Sequence, residues 1–201
     1  MSDYPIALHG ERVIAVVVGG GAVGTRKALA LADAGAQVSV ASPAVTPELI
    51  EAERARRLTI VREAYRADQL DRATVVIAAT NSREVNAQIA LDAHSRGKLV
   101  NITDFPDEGN FHTMAIHRSG DVTIAVSSGG VPGAAARIRD AIAERFDGRY
   151  ERAVSALRGL RSRLIASGDE QWRAAAPKLL GDDFCKSVED GSFPEKVDAW
   201  R

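Results

Sequence analysis

Along the first half of the chain, short runs of aliphatic and β-branched residues alternate with longer stretches whose apolar positions recur at helical spacing. That is the pattern of a parallel sheet with helical crossovers. The runs Val13 to Val18, Gln37 to Ala41, Leu58 to Arg62, Thr74 to Ala79 and Leu99 to Ile102 predict the strands. Helix ends between them are marked: Gly35 follows Leu29-Ala30-Leu31-Ala32, Thr46-Pro47 opens the next helix, and Ser82 precedes a run that Gly97 closes. The expected fold class is α/β, a doubly wound parallel sheet of at least five strands.

After Asp104 the rhythm changes. Asn110 to His117 and Asp121 to Ser127 predict two strands joined by Arg118-Ser119-Gly120, a hairpin and not a crossover. From Pro132 the chain turns helical, with candidate helices over Ala134 to Phe146, Tyr150 to Ile165 and Gln171 to Leu180, and breaks at Gly148 and Ser167-Gly168. The tail beyond Gly181 is acidic and weakly patterned, which predicts partial mobility. These shifts divide the chain into a sheet domain over residues 1–109, a hairpin and helix over 110–147, and a helical region over 148–201. The hairpin and its helix are poorly suited to bury themselves against the sheet of their own chain, so a homodimer is expected.

The first strand runs directly into Gly19-Gly20-Gly21-Ala22-Val23-Gly24, which opens a helix-compatible run within a βαβ-sized unit. In that context Gly-x-Gly-x-x-Gly marks a Rossmann-type dinucleotide site. Gly19 supplies the tight turn, Gly21 lets the backbone approach a pyrophosphate, Gly24 lets helix and strand pack closely, and the N-H groups around Ala22 and Val23 face the phosphates. The bland alternative is a glycine-rich turn that binds nothing. At the end of the second strand the acidic residue that often holds the adenosine ribose is missing: the sequence there is Ser42-Pro43-Ala44. A hydroxyl and backbone groups remain for the ribose, so NAD is the expected cofactor, although no carboxylate rejects NADP. Short-chain dehydrogenase chemistry is excluded, because it needs Tyr followed four residues later by Lys, whereas Tyr4, Tyr65 and Tyr150 are followed there by Leu8, Gln69 and Val154.

Charge narrows the partners. With 26 Lys and Arg against 27 Asp and Glu, nothing global points to nucleic acid. Four His are few for a metal protein, and the one cysteine, Cys185, suits a reducing cytoplasm. No stretch approaches the ~20 apolar residues of a membrane span, and the first residues, Met1 to Pro5, carry no export pattern.

One set of residues resembles a known family closely. Tyr4-Pro5-Ile6, Val18 to Gly24 with Arg26-Lys27-Ala28, Ala36 to Val40 with Ser42-Pro43, Ile77-Ala78-Ala79-Thr80-Asn81 with Val85-Asn86, Asn101-Ile102-Thr103-Asp104, Asn110-Phe111 and Val126-Ser127-Ser128-Gly129-Gly130 follow one another with family-like spacing. This series resembles the precorrin-2 dehydrogenase/sirohydrochlorin ferrochelatase proteins, which also form the N-terminal part of siroheme synthase. It runs from Pro5 to about Phe146. Departures lie at Met114, where relatives usually have Pro, and at Val131-Pro132-Gly133.

The resemblance implies NAD-dependent oxidation of precorrin-2 to sirohydrochlorin, with ferrous iron insertion as an open second activity. It adds Thr80 and Asn81 to the cofactor site, and Asn101, Ser127, Ser128, Gly129 and Arg137 to the substrate side. Asp104 follows the last strand at its carboxyl end, where open α/β sheets place ligands, and is the candidate base; a turn Asp is the alternative. A tetrapyrrole rimmed with carboxylates calls for cations, and Arg118, Arg137, Arg139, Arg145, Arg149, Arg152, Arg158, Arg161 and Arg163 offer forked donors, unless they form a solvated helix face. His112 and His117 fall on opposite faces of the predicted strand and cannot easily share one ion, so no metal site is expected. Two other readings stay open: a non-catalytic dinucleotide-sensing module, and a family member acting on a different substrate.

Overall fold

The computed structural model describes residues 3–200. Residues 1, 2 and 201, which the predicted end domains include, lie outside the described residues. The chain divides into two compact units, residues 1–112 and 113–201.

Unit 1 is a five-stranded parallel sheet in the order β3-β2-β1-β4-β5. Its strands are β1 (Ile14–Gly20), β2 (Gln37–Val45), β3 (Thr59–Val61), β4 (Val75–Ala78) and β5 (Leu99–Ile102), and its helices are α1 (Ala22–Asp33), α2 (Pro47–Arg54) and α3 (Arg83–Ser95). Alternation along the strands fills both faces. Ala15, Val17, Val38, Val40, Val75 and Ile77 join Ala28 of α1 and Leu49 and Ala52 of α2 in one apolar layer. Val16, Val18, Val76, Ala78, Val100 and Ile102 join Ile89, Ala90 and Ala93 of α3 in the other. Burial on both faces explains why these strands read as continuous apolar runs. β2 runs four residues beyond the predicted Ala41, because its pairing with β1 is irregular: Val18 pairs with Ala41, then Gly20 with Val45.

The outer edge of the sheet is closed locally. Asn110 accepts from the Val100 N-H through Oδ1 (2.7 Å) and donates from Nδ2 to the Lys98 carbonyl (2.9 Å), while Phe111 packs on the apolar layer beneath. A side chain thus takes over part of the pairing that a further strand would supply.

Unit 2 begins with the antiparallel hairpin β6 (Ala115–Ser119) and β7 (Val122–Val126). The strand predicted from Asn110 therefore starts five residues later, since Asn110 and Phe111 are occupied at the edge of β5. Helices α4 (Pro132–Arg145), α5 (Gly148–Ala166) and α6 (Asp169–Leu179) follow. The expectation of a partly mobile tail needs correction: α7 (Phe184–Asp190) and α8 (Phe193–Asp198) fold back, and Val188, Phe193 and Val197 are buried with Tyr150, Leu157, Leu160 and Leu179. Both helices are too short to display a period in sequence, and tertiary packing fixes them.

Candidate functional site

The carboxyl ends of β1, β2, β4 and β5 carry the candidate residues of unit 1. At the end of β1 the backbone of Gly19 has φ +113°, a region that L side chains rarely adopt. Gly24, in the first turn of α1, lies so close to β1 that a Cβ there would collide with the Gly19 carbonyl. Gly21 differs, because a Cβ there would have nothing within 4 Å. Packing inside the protein does not demand glycine at that position, whereas a ligand lying on the turn would. α1 starts at Ala22 behind Gly21, which has no side chain to cap it, and carries no acidic residue in its first turn, so its leading N-H groups and positive dipole end are open to an anion. Ala22 and Val23 are exposed there. A dinucleotide pyrophosphate fits this donor set.

Ser42, Pro43 and Ala44 form the stretch of β2 left without β1 partners by the register shift. Ser42 is buried and its hydroxyl donates to the Ala44 carbonyl (2.6 Å), while Pro43 and Ala44 are exposed. Toward a ribose, Ser42 therefore offers lone pairs and not its proton. Thr25 and Thr46, the latter expected only as a helix start, join α1 to the start of α2 through their hydroxyls (2.9 Å).

At β4 the Thr80 turn abuts the glycine loop, since a Cβ on Gly19 would collide with the Ala79 carbonyl and approach the Thr80 nitrogen. Asn81 is exposed beside it. Thr80 is held by Asn86 of α3: Asn86 Oδ1 accepts from the Thr80 N-H (3.2 Å) and hydroxyl (2.7 Å), and Asn86 Nδ2 donates to the Thr80 carbonyl (3.1 Å). The same Nδ2 donates to Oδ1 of Asp104 (2.9 Å). Asp104 is exposed in the loop after β5. That loop is fastened to α3 at further points: Arg83 pairs with Glu108 and stacks over Phe105 (4.9 Å), and the His94 ring bonds the Glu108 carbonyl (2.8 Å). Asn101 is buried, donates to the Phe111 carbonyl (3.1 Å) and leaves its Oδ1 without a partner among the described residues.

The remaining candidates, His112 apart, lie in unit 2. Ser127 and Gly129 are exposed, and Ser128 donates to the Val131 carbonyl in the loop that leads into α4. The arginines separate into two groups. Arg139, Arg145, Arg149 and Arg158 form ion pairs with Asp140, Glu189, Asp147 and Asp121, and Arg161 lies over Trp172. Arg118, Arg137, Arg152 and Arg163 are exposed and make no ion pair among the described residues. His112 precedes the hairpin and faces Asp3 (3.6 Å), whereas His117 bonds the Phe146 carbonyl (2.6 Å), so the two imidazoles are engaged apart. Among the described residues there is no cluster of three or more His, Cys, Asp or Glu suited to a metal ion, and no helix is long and apolar enough to cross a membrane.

A protein-family model described as "Putative NAD(P)-binding" matches residues 6–115. A siroheme synthase of Chromobacterium violaceum is 35% identical over 199 residues, covering 98% of this chain and 41% of that protein. A siroheme synthase of Pseudomonas fluorescens is 39% identical over 123 residues, covering 61% of this chain and 26% of that protein. The chain thus spans less than half the length of these curated relatives. Among solved structures, SirC, precorrin-2 dehydrogenase, has a TM-score of 0.79 and 24% identity over 98% of this chain and 100% of that one, a likeness of fold.

Proposed function

We propose, from the premise that this chain belongs to the NAD(P)-binding family matched over residues 6–115, that it is an NAD-dependent dehydrogenase oxidising precorrin-2 to sirohydrochlorin in siroheme synthesis. The observation that carries the reading is Asp104, an exposed carboxylate at the carboxyl end of β5, tethered through Asn86 to the Thr80 turn beside the glycine loop.

The macrocycle loses two hydrogens, one as a hydride and one as a proton. NAD, when bound, supplies the nicotinamide C4 that takes the hydride. The N-H groups at the start of α1 would hold the pyrophosphate, Ser42 to Ala44 would receive the adenosine ribose, and Thr80 and Asn81 would complete the cofactor site. Asp104 takes the proton, a task suited to a carboxylate open on one side and anchored on the other. Arg137, with Ser127, Ser128 and Gly129, is assigned to the substrate carboxylates; its lack of an internal ion pair supports that choice over the paired arginines. A homodimer is supported by Ile116, Val131 and Ile138 of unit 2, which are 41%, 58% and 48% exposed. A cytoplasmic setting accords with the free thiol of Cys185.

The test is anaerobic incubation with enzymatically generated precorrin-2 and NAD, following NADH and the sirohydrochlorin spectrum together. Both signals are expected. NAD binding without either signal would replace this reading with a sensor or an altered substrate. Ferrous iron added after oxidation separates the second activity: siroheme formed faster than without protein assigns chelation to this protein, and equal rates assign oxidation alone.

A further inference from the structure

Asn86 is enclosed completely in the first turn of α3, with 0% of its surface exposed. Its amide has two N-H donors and two acceptor positions, and all are used. Three of the bonds go to Thr80. A pin for the turn between β4 and α3 would need no more than these. The fourth leaves that turn and crosses to Asp104. Asp104 sits in an irregular, exposed segment where a free carboxylate would sample several rotamers. A donor buried away from water makes the bond hard for solvent to replace, and an amide cannot titrate, so the tether does not exchange protons with the group it holds.

We propose that Asn86 is a positioning residue that sets the cofactor-side Thr80 turn and the proton-accepting carboxylate of Asp104 from one side chain. This rests on the reading of Asp104 as the base. It assigns Asn86 no contact with substrate or cofactor; it acts through the two groups it fixes.

The discriminating variant is Asn86→Asp. It keeps an oxygen for the Thr80 N-H and hydroxyl, but presents oxygen where both the Thr80 carbonyl and Asp104 need a donor. Turnover number is expected to fall by roughly 100-fold, the scale of a small misplacement of a reacting group, with NAD affinity and the KM for precorrin-2 little changed. Asn86→Ser, smaller and uncharged, gives up the amide's bonds to Thr80 as well as the one to Asp104, so it should lower kcat likewise and in addition weaken NAD binding. A second readout needs no turnover: Asn86→Asp should lower the thermal midpoint in the native background, and recover the part of that penalty due to the Asp104 bond alongside Asp104→Asn, where the new amide can donate to the new carboxylate, while the lost bond to the Thr80 carbonyl persists in both backgrounds. An active wild type with undiminished kcat in both variants, or an equal thermal penalty in both backgrounds, would overturn the inference alone. A wild type that binds NAD without turnover overturns the dehydrogenase reading, and the positioning role falls with it.

Discussion

Gly24 and Asp104 represent two kinds of requirement on a single residue. Gly24 answers to packing. Gly24→Ala drives a methyl into the Gly19 carbonyl, so it should cost about 1–3 kcal/mol in urea denaturation and weaken NAD binding in a fluorescence titration as α1 shifts from β1. Asp104 answers to chemistry, and Asp104→Ala should abolish NADH formation while NAD binding stays nearly intact. Retained turnover would remove it from the base role. Arg137→Ala should raise the KM for precorrin-2 more than it lowers kcat, whereas Arg158→Ala, which breaks a pair with Asp121, should not. The glycines were legible in sequence because their reasons are local to a turn and its helix. Asn86 was visible as part of a motif, but its role was not. Its partners Thr80 and Asp104 stand 6 and 18 residues away, and only the folded sheet brings them to one amide.

Among the elements, α3 and the last two helices carry testable consequences. α3 is the platform on which the Asp104 loop rests, through Asn86, Arg83 and His94. In unit 2, Phe193 is buried, with its ring 5.2 Å from Phe184. Phe193→Ala should destabilise by about 3–5 kcal/mol in denaturant unfolding, a result inconsistent with a mobile tail. Glu189 links α7 to α4 and α5: hydrogen bonds from Arg145 (2.7 Å) and from Tyr150 (2.8 Å) hold its carboxyl below the usual carboxylate range. A depressed carboxyl contributes stability above its unfolded pKa and loses it as pH falls through the folded value. Glu189→Gln should therefore lower the thermal midpoint at neutral pH, and the gap from wild type should close in acid. The acidic character of the tail, which suggested mobility, is in part this Glu meeting basic residues of other helices.

For the whole molecule, the proposed homodimer is checked by light scattering at working concentration, where a monomer would count against it. Ile138→Asp, placed on the exposed face of α4, should shift the equilibrium toward monomer without unfolding unit 2. The sequence by itself determined the parallel sheet, the order of its strands and helices, and the place of the glycine turn. Periodicity, strand burial on both faces and turn chemistry act over a few residues and leave their mark in the order of residue types. Only the tertiary structure decided which groups share a hydrogen bond, which arginines are left unpaired, where Asn110 leaves the hairpin for the edge of β5, and that the weakly patterned tail completes a core. Those outcomes depend on side chains distant in sequence competing for the same partners and the same buried space, and no local pattern records the result of that competition.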